Sequence, residues 1–229
     1  MNKSDIIIEF PLRGEWHTPT TPAKKIPSHG TNRMGMRYAF DFLQINWQDK
    51  GKAFHDVSDL HYIFSGVSIE KYYCYNQDIF APCDGEIVAV VDGIPERKIV
   101  NWLVDMAIGI KNSATFNERK DHFSQIAGNY IIMKLGDDLY AAFAHLKTDS
   151  IIVSINDRVK KGSLLGKVGH SGNSTSPHLH FQLMDRDDIT NAKGVPFRFE
   201  QYELYIDNQW KTVFNQIPSA SDRFRFCKD

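Results

Sequence analysis

The chain has 229 residues, of which 42% are hydrophobic and 12% aromatic, enough for one large domain with a buried core and too apolar for a disordered chain. Its 27 basic and 28 acidic side chains are interspersed and sum to −1, which excludes the basic stripe of a nucleic-acid-binding protein. Three cysteines (Cys74, Cys83 and Cys227) without a CxxC pair exclude a disulfide framework and a thiolate zinc site.

From the N-terminus, the three apolar residues 6–8 are too short for a signal-peptide core, and Met1 argues against a removed leader, so no Sec-type address is expected. No stretch approaches the length of a membrane span. Residues 6–12 read as an extended arm, followed by a Pro/Thr-rich loop to about Pro27. Residues 37–46 read as a strand, with Asp41 between Phe40 and Phe42 and facing away from both. After a long polar and aromatic connection, residues 78–93 read as strand, turn, strand, turn at Asp84-Gly85 and Asp92-Gly93, since Asp-Gly suits a type I′ hairpin turn.

Ile99, Leu103, Met106 and Ile110 recur at helical spacing and predict an amphipathic helix over 98–111, inside a largely helical insertion at 94–127 that covers or shapes a groove. Residues 128–135 and 138–146 predict a hairpin across Gly136-Asp137, 157–169 a further turn and strand pair, and 178–184 another strand. Strands are also expected at Tyr202 to Ile206 and Trp210 to Phe214, within a C-terminal strand region 196–226. The fold class is therefore mainly β, in a single domain spanning 1–229 with a core at 25–93 and 128–185.

In Pro177-His178-Leu179-His180-Phe181-Gln182-Leu183 the pleat puts Leu179, Phe181 and Leu183 on one face and His178, His180 and Gln182 on the other. Imidazoles at i and i+2 lie roughly 7 Å apart, which suits one metal ligand and one catalytic group. A carboxylate at Asp41 is costly if buried alone; metal ligation or an ion pair would relieve it. His29 precedes Gly30 in a loop, and His145 ends the run Ala141-Ala142-Phe143-Ala144-His145. Two histidines and one aspartate make a three-ligand zinc site with an open fourth position, the catalytic pattern. The chain carries neither an HExxH helix nor a GxSxG elbow, which argues against a zincin and an α/β-type serine hydrolase. It also lacks the exposed hairpin-tip lysine of a biotinyl or lipoyl carrier.

Four segments together resemble the lysostaphin-type, LytM-like zinc metallopeptidases: Ser28-His29-Gly30, Arg37-Tyr38-Ala39-Phe40-Asp41-Phe42, Ala144-His145-Leu146, and the run from Gly169-His170-Ser171-Gly172 to His178-Leu179-His180-Phe181. The likeness covers about 25–185 outside the insertion. It implies an antiparallel sheet flooring a groove, Zn²⁺ held by His29, Asp41 and His180, and catalytic roles for His145 and His178. It further implies cleavage of short peptides, typically in bacterial peptidoglycan, hence extracytoplasmic action at the cell wall. Gln182 is a candidate acceptor for the free nitrogen of His180. Eleven residues separate His29 from Asp41, more than in many members, and His17 is the alternative ligand. A catalytically inactive peptide-binding or regulatory module, and an amidase, are the competing functions; retention of all five candidate residues argues against the first.

Overall fold

Segments in which β-branched and aromatic residues alternate with polar ones form strands where one face can be buried, and this chain supplies many. The computed structural model describes residues 6–49, 53–58, 62, 65–115 and 123–227. In chain order the elements are β1 (Ile7–Ile8), β2 (Glu15–Thr20), β3 (Phe40–Leu43), β4 (Val67–Ser68), β5 (Asp78–Phe80), β6 (Gly85–Val91) and β7 (Ile99–Val100). Next come helix α1 (Trp102–Thr115), the single turn α2 (Ser124–Ala127), β8 (Asn129–Gly136), β9 (Leu139–Leu146), β10 (Arg158–Val159) and β11 (Leu164–Lys167). The chain then runs through β12 (Leu179–Met184), β13 (Arg198–Ile206), β14 (Gln209–Gln216) and β15 (Phe224–Arg225). Short 3₁₀ turns lie at Arg33–Tyr38, Ile69–Lys71 and Ile189–Asn191.

One sheet dominates, in the order β1-β13-β15-β2-β3-β12-β9-β8-β6-β10, with β14 added to β13. Only the β1–β13 pairing in it is parallel. One face carries the main core. Leu179, Phe181 and Leu183 of β12 and Phe143 of β9 are fully buried there. Phe10, Phe40, Phe42, Phe197 and Phe199 continue this layer with neighbouring rings 5.1–6.1 Å apart. The opposite face carries a smaller apolar cluster around Met34, Ile132, Ala142, Met184 and Ile189. Burial of the first layer fixes strand register, because a one-residue slip would exchange the two faces.

The mainly β class holds, as do the hairpin of β8 with β9 and that of β13 with β14. Several local expectations need correction. The loop expected from residue 13 to about Pro27 contains β2, with Pro19 inside it; the register shifts between His17 and Thr20, and an irregularity of this kind is where a strand tolerates proline. The strand expected over 37–46 is only Phe40–Leu43, because the Arg33–Tyr38 turn takes its first residues. At Asp84-Gly85 no hairpin forms. Strand β5 pairs with β11, and β6 with β8 and β10. The Asp84 carboxylate instead accepts from the Lys161 amide at 2.9 Å and the Lys160 ammonium at 2.7 Å.

The helix in the insertion is displaced and turned over. It begins after Ile99, which belongs to β7, and Leu103 and Ile110 are 68% and 64% exposed. Among the described positions of the helix, Asp105, at 1% exposure, and Gly109 are buried. Polarity of the docking partner explains the inversion: α1 packs against the loop at 169–176, whose surface there is carbonyls and an asparagine. Arg97 binds the Asp105 carboxylate and donates to the carbonyls of Gly172 and Ser174. Asn173 donates to the Gly109 carbonyl at 3.2 Å and accepts from Asn112 at 3.2 Å.

Candidate active site

Strand β12 aligns His180 with Asp41 of β3 on one side and with Ala144 of β9 on the other. Alternation along β12 aims His178, His180 and Gln182 away from the phenylalanine core. The loop before the Arg33–Tyr38 turn returns over this face and brings His29 to Asp41. Ser28 anchors that loop, its amide donating to the Arg37 carbonyl at 3.1 Å.

His29 Nε2 lies 3.1 Å from both Asp41 oxygens, and His180 Nδ1 lies 3.0 Å from Oδ1. One donor atom from each of the three residues falls within 4.8 Å of the other two. His17, the alternative ligand, sits opposite Leu43 and packs edge-on against Trp47 instead.

The surrounding hydrogen bonds assign the ring protons. Ser28 Oγ reaches the Met36 carbonyl at 3.2 Å, so its proton goes there and its lone pair takes Nδ1–H of His29 at 3.1 Å. His29 Nε2 then presents a lone pair to the Asp41 carboxylate, an acceptor against an acceptor unless a cation lies between them. Gln182 donates through Nε2 to the Met34 carbonyl at 2.8 Å, which turns its Oε1 toward Nε2–H of His180 at 3.0 Å. Gly35 leaves room for this amide: a Cβ there would clash with Gln182 Nε2, and its φ of +73° also disfavours other residues.

Burial alone would raise the Asp41 carboxyl, but the imidazoles that crowd it, His29, His178 and His180, hold it well below the usual range. Burial alone would likewise lower His180, but its bond to Asp41 outweighs this and raises it. A proton between His180 Nδ1 and Asp41 thus occupies a position that a metal cation would take, and two imidazoles with one carboxylate form a donor set suited to zinc.

His178 and His145 stand beside this cluster, with ring centres 4.8 Å apart and His145 6.0 Å from His180. His178 Nδ1–H donates to the Ser176 carbonyl at 2.7 Å, leaving Nε2 toward Asp41 at 3.5 Å. His145 Nδ1–H donates to the Ser171 carbonyl at 3.0 Å. Burial lowers the pKa of both, so both are neutral at pH 7 with a basic Nε2 available.

Regular alternation would have put His145 on the Phe143 side, in the core. The register shifts between Asn129 and Ile131 of β8, so that Ala144 and His145 together oppose Tyr130, and His145 takes φ +64°. This bulge turns the imidazole onto the groove face. Ser171, fully buried, holds the bulge: Oγ donates to the Leu146 carbonyl at 2.7 Å and accepts from the Asn129 amide at 2.9 Å.

The loop before His178 is fixed by polar contacts that sequence reasoning missed. Ser174 Oγ donates to the Ser176 carbonyl at 2.6 Å, so it accepts Nδ1–H of His170 at 3.0 Å, and His170 Nε2 accepts from Arg97 at 3.3 Å. A run of oriented bonds thus connects Asp105 and Arg97 of the insertion to the carbonyl that holds His178. His170 is fully buried; burial, then the Arg97 charge, lowers its pKa from 6.5 to about 3.

The unfolded chain therefore takes up a proton at His170 below pH 6.5 and the folded chain does not until about pH 3, so this contribution to stability is present above 6.5 and lost as pH falls toward 3. Urea unfolding at pH 7 and pH 5 is expected to show about 2 kcal/mol more loss for the native chain than for His170→Gln. An equal loss in both would contradict the assignment.

A family model described as Peptidase family M23 matches residues 64–192, more than half of the 229 residues. Among curated proteins, the chain is 35% identical over 88 residues to a glycyl-glycine endopeptidase, ALE-1, of Staphylococcus capitis, covering 38% of this chain and 24% of that one. It is 35% identical over 66 residues to the peptidoglycan DD-endopeptidase ShyA of Vibrio cholerae, covering 29% of this chain and 15% of that one. The chain thus spans less than a quarter of the length of these relatives. Among solved structures, the catalytic domain of the antimicrobial peptidase lysostaphin from Staphylococcus simulans superposes with a TM-score of 0.37 at 17% identity, over 80% of this chain and 88% of that one. By the match across residues 64–192, the chain belongs to peptidase family M23.

Proposed function

We propose that the chain is a zinc-dependent endopeptidase that hydrolyses peptide bonds in peptidoglycan cross-bridges or similar short peptides, acting at the cell wall outside the cytoplasm. The observation that carries the proposal is the convergence of His29 Nε2, the Asp41 carboxylate and His180 Nδ1, with two neutral imidazoles beside them. The two nitrogen-to-carboxylate separations of 3.0–3.1 Å are close to the ~3.3 Å edge of a tetrahedron with metal–ligand bonds of ~2.0–2.1 Å, and all three donors lie within 4.8 Å of one another. The glycyl-glycine endopeptidase ALE-1 and the peptidoglycan DD-endopeptidase ShyA, as similar proteins, support a cell-wall peptide as the substrate.

A zinc ion bound there supplies Lewis acidity and lowers the pKa of water toward about 7. The protein's own part is to move and hold protons. Nε2 of one imidazole of the His145–His178 pair accepts the proton of the attacking water. The other hydrogen-bonds the oxygen that gains charge, a contact typically worth about 3 kcal/mol. Ser171 and Ser176, by binding the Nδ1–H groups, keep both Nε2 atoms turned to the site.

Two substitutions separate these roles. His178→Ala is expected to lower kcat by about 10²- to 10⁴-fold while zinc content stays at one per chain; loss of zinc in that variant would make His178 a ligand. Gln182→Leu is expected to weaken zinc binding by about 10- to 100-fold, because Nε2–H of His180 loses its acceptor; a chelator competition titration measures it, and unchanged affinity would contradict it. The overall proposal is tested by incubating the zinc-loaded chain with peptidoglycan fragments and reading new amino and carboxyl ends by mass spectrometry.

A further inference from the structure

The groove beside the metal cluster has an unusual floor. Along β9, Ala144 lies level with His180 and Ala142 level with Gln182, so only methyl groups cover the sheet there. On one bank stand Met36 and Ile189. On the other stand Phe123 and Ile126 from the insertion, and Tyr130 of β8, whose ring meets Phe123 edge-on at 5.7 Å. The resulting trough and the cluster of four histidines and Asp41 form one continuous cavity of about 480 Å³, which Thr31, Asn173 and Thr175 also line. Among the described lining residues, Asp41 is the only carboxylate and Arg33 the only lysine or arginine.

We infer that this trough is a side-chain subsite for an uncharged apolar residue the size of Leu, Met or Phe, placed directly beside the scissile bond. The inference rests on the endopeptidase reading of the same site and narrows its substrate, within short peptides, away from the glycyl-glycine bonds that give ALE-1 its name. Glycine would leave the alanine floor and both apolar banks in water. A lysine or aspartate side chain would lose hydration, and the trough offers no carboxylate for a lysine beyond Asp41, which is engaged by three histidines. A leucine or phenylalanine buries its own surface together with that of the banks, which favours such substrates by about 10- to 100-fold in kcat/KM.

A panel of peptides identical except for one residue on either side of the cleaved bond tests this, with Gly, Leu, Phe, Lys and Asp in turn. The zinc-loaded chain is expected to cleave the Leu or Phe peptide at least 10-fold more efficiently than the Gly, Lys and Asp peptides. Comparable values for Gly or Lys overturn the subsite. Ala142→Leu, which fills the floor, and Phe123→Ala, which lowers one bank, are each expected to shrink the Leu:Gly ratio; a ratio unchanged in both also overturns it. Binding of the same peptides to zinc-loaded His178→Ala, measured calorimetrically, separates the two ideas. Preference for the Leu peptide in binding, with no peptide hydrolysed by the native chain, supports the subsite and sinks the hydrolase. Hydrolysis without any preference in binding or rate sinks the subsite alone, and failure of both measurements sinks both.

Discussion

Replacing His180 with alanine is expected to strip the chain of zinc and to lower peptide hydrolysis by at least about 10³-fold, the equivalent of about 4 kcal/mol of transition-state stabilisation. His180 contributes Nδ1 to the donor cluster, and it gives the Asp41 carboxylate its hydrogen bond at 3.0 Å. Removing the imidazole leaves one nitrogen and one carboxylate, too few protein ligands for a stable zinc site. Asp41→Ala is expected to behave alike, because the carboxylate is the atom group common to all these contacts. Metal content by elemental analysis and turnover of a peptide substrate measure the two effects. A His180→Ala chain that keeps both zinc and activity would remove the site from the mechanism.

Breaking the clamp between the insertion and the loop before His178 is expected to have the largest effect on stability. Asp105 is 1% exposed and binds Arg97 and the Asn101 amide. Arg97 in turn satisfies the carbonyls of Gly172 and Ser174. Asp105→Ala leaves a guanidinium without its carboxylate at a half-buried site, which costs about 3 kcal/mol. Arg97→Lys is not expected to rescue the clamp, since one ammonium cannot reach a carboxylate, two carbonyls and the His170 nitrogen with the fixed geometry of the guanidinium fork. Urea unfolding of the two variants against the native chain reads both costs. A loss below about 0.5 kcal/mol for Asp105→Ala would mean that the contact is dispensable.

How far these features were legible in the sequence follows from what sets each one. The facing of His178, His180 and Gln182 was readable because it depends only on the two-residue period of a strand whose other face is Leu179, Phe181 and Leu183. The meeting of Asp41 with His180 rests on strand pairing over 139 residues of separation; only the resemblance placed those residues at one site. The bulge at His145 leaves no mark in the sequence, yet without it the imidazole would point into the phenylalanine core.

The helix in the insertion was misread for a different reason. Hydrophobic spacing assumes that the buried face is apolar, and here the surface that α1 covers is polar, so Asp105 and Gly109 turn inward and Leu103 and Ile110 outward. Strand β2 was hidden by Pro19, and Asp84-Gly85 suggested a hairpin because turn chemistry is local while the choice of partner strand is not. The roles of Arg97, Ser171 and Ser28 were not read from the sequence, although the two serines lie in the motif segments, because each acts by hydrogen bonds to backbone or ring atoms far away in sequence or fixed only by the fold.

The most direct measurement is the zinc-edge anomalous signal in crystals of the chain purified with its metal. One zinc per chain is expected, ligated by His29 Nε2, Asp41 and His180 Nδ1, with no protein atom at the fourth corner. A chain that carries no zinc, or an ion whose fourth ligand is His178 or another side chain, would contradict the account.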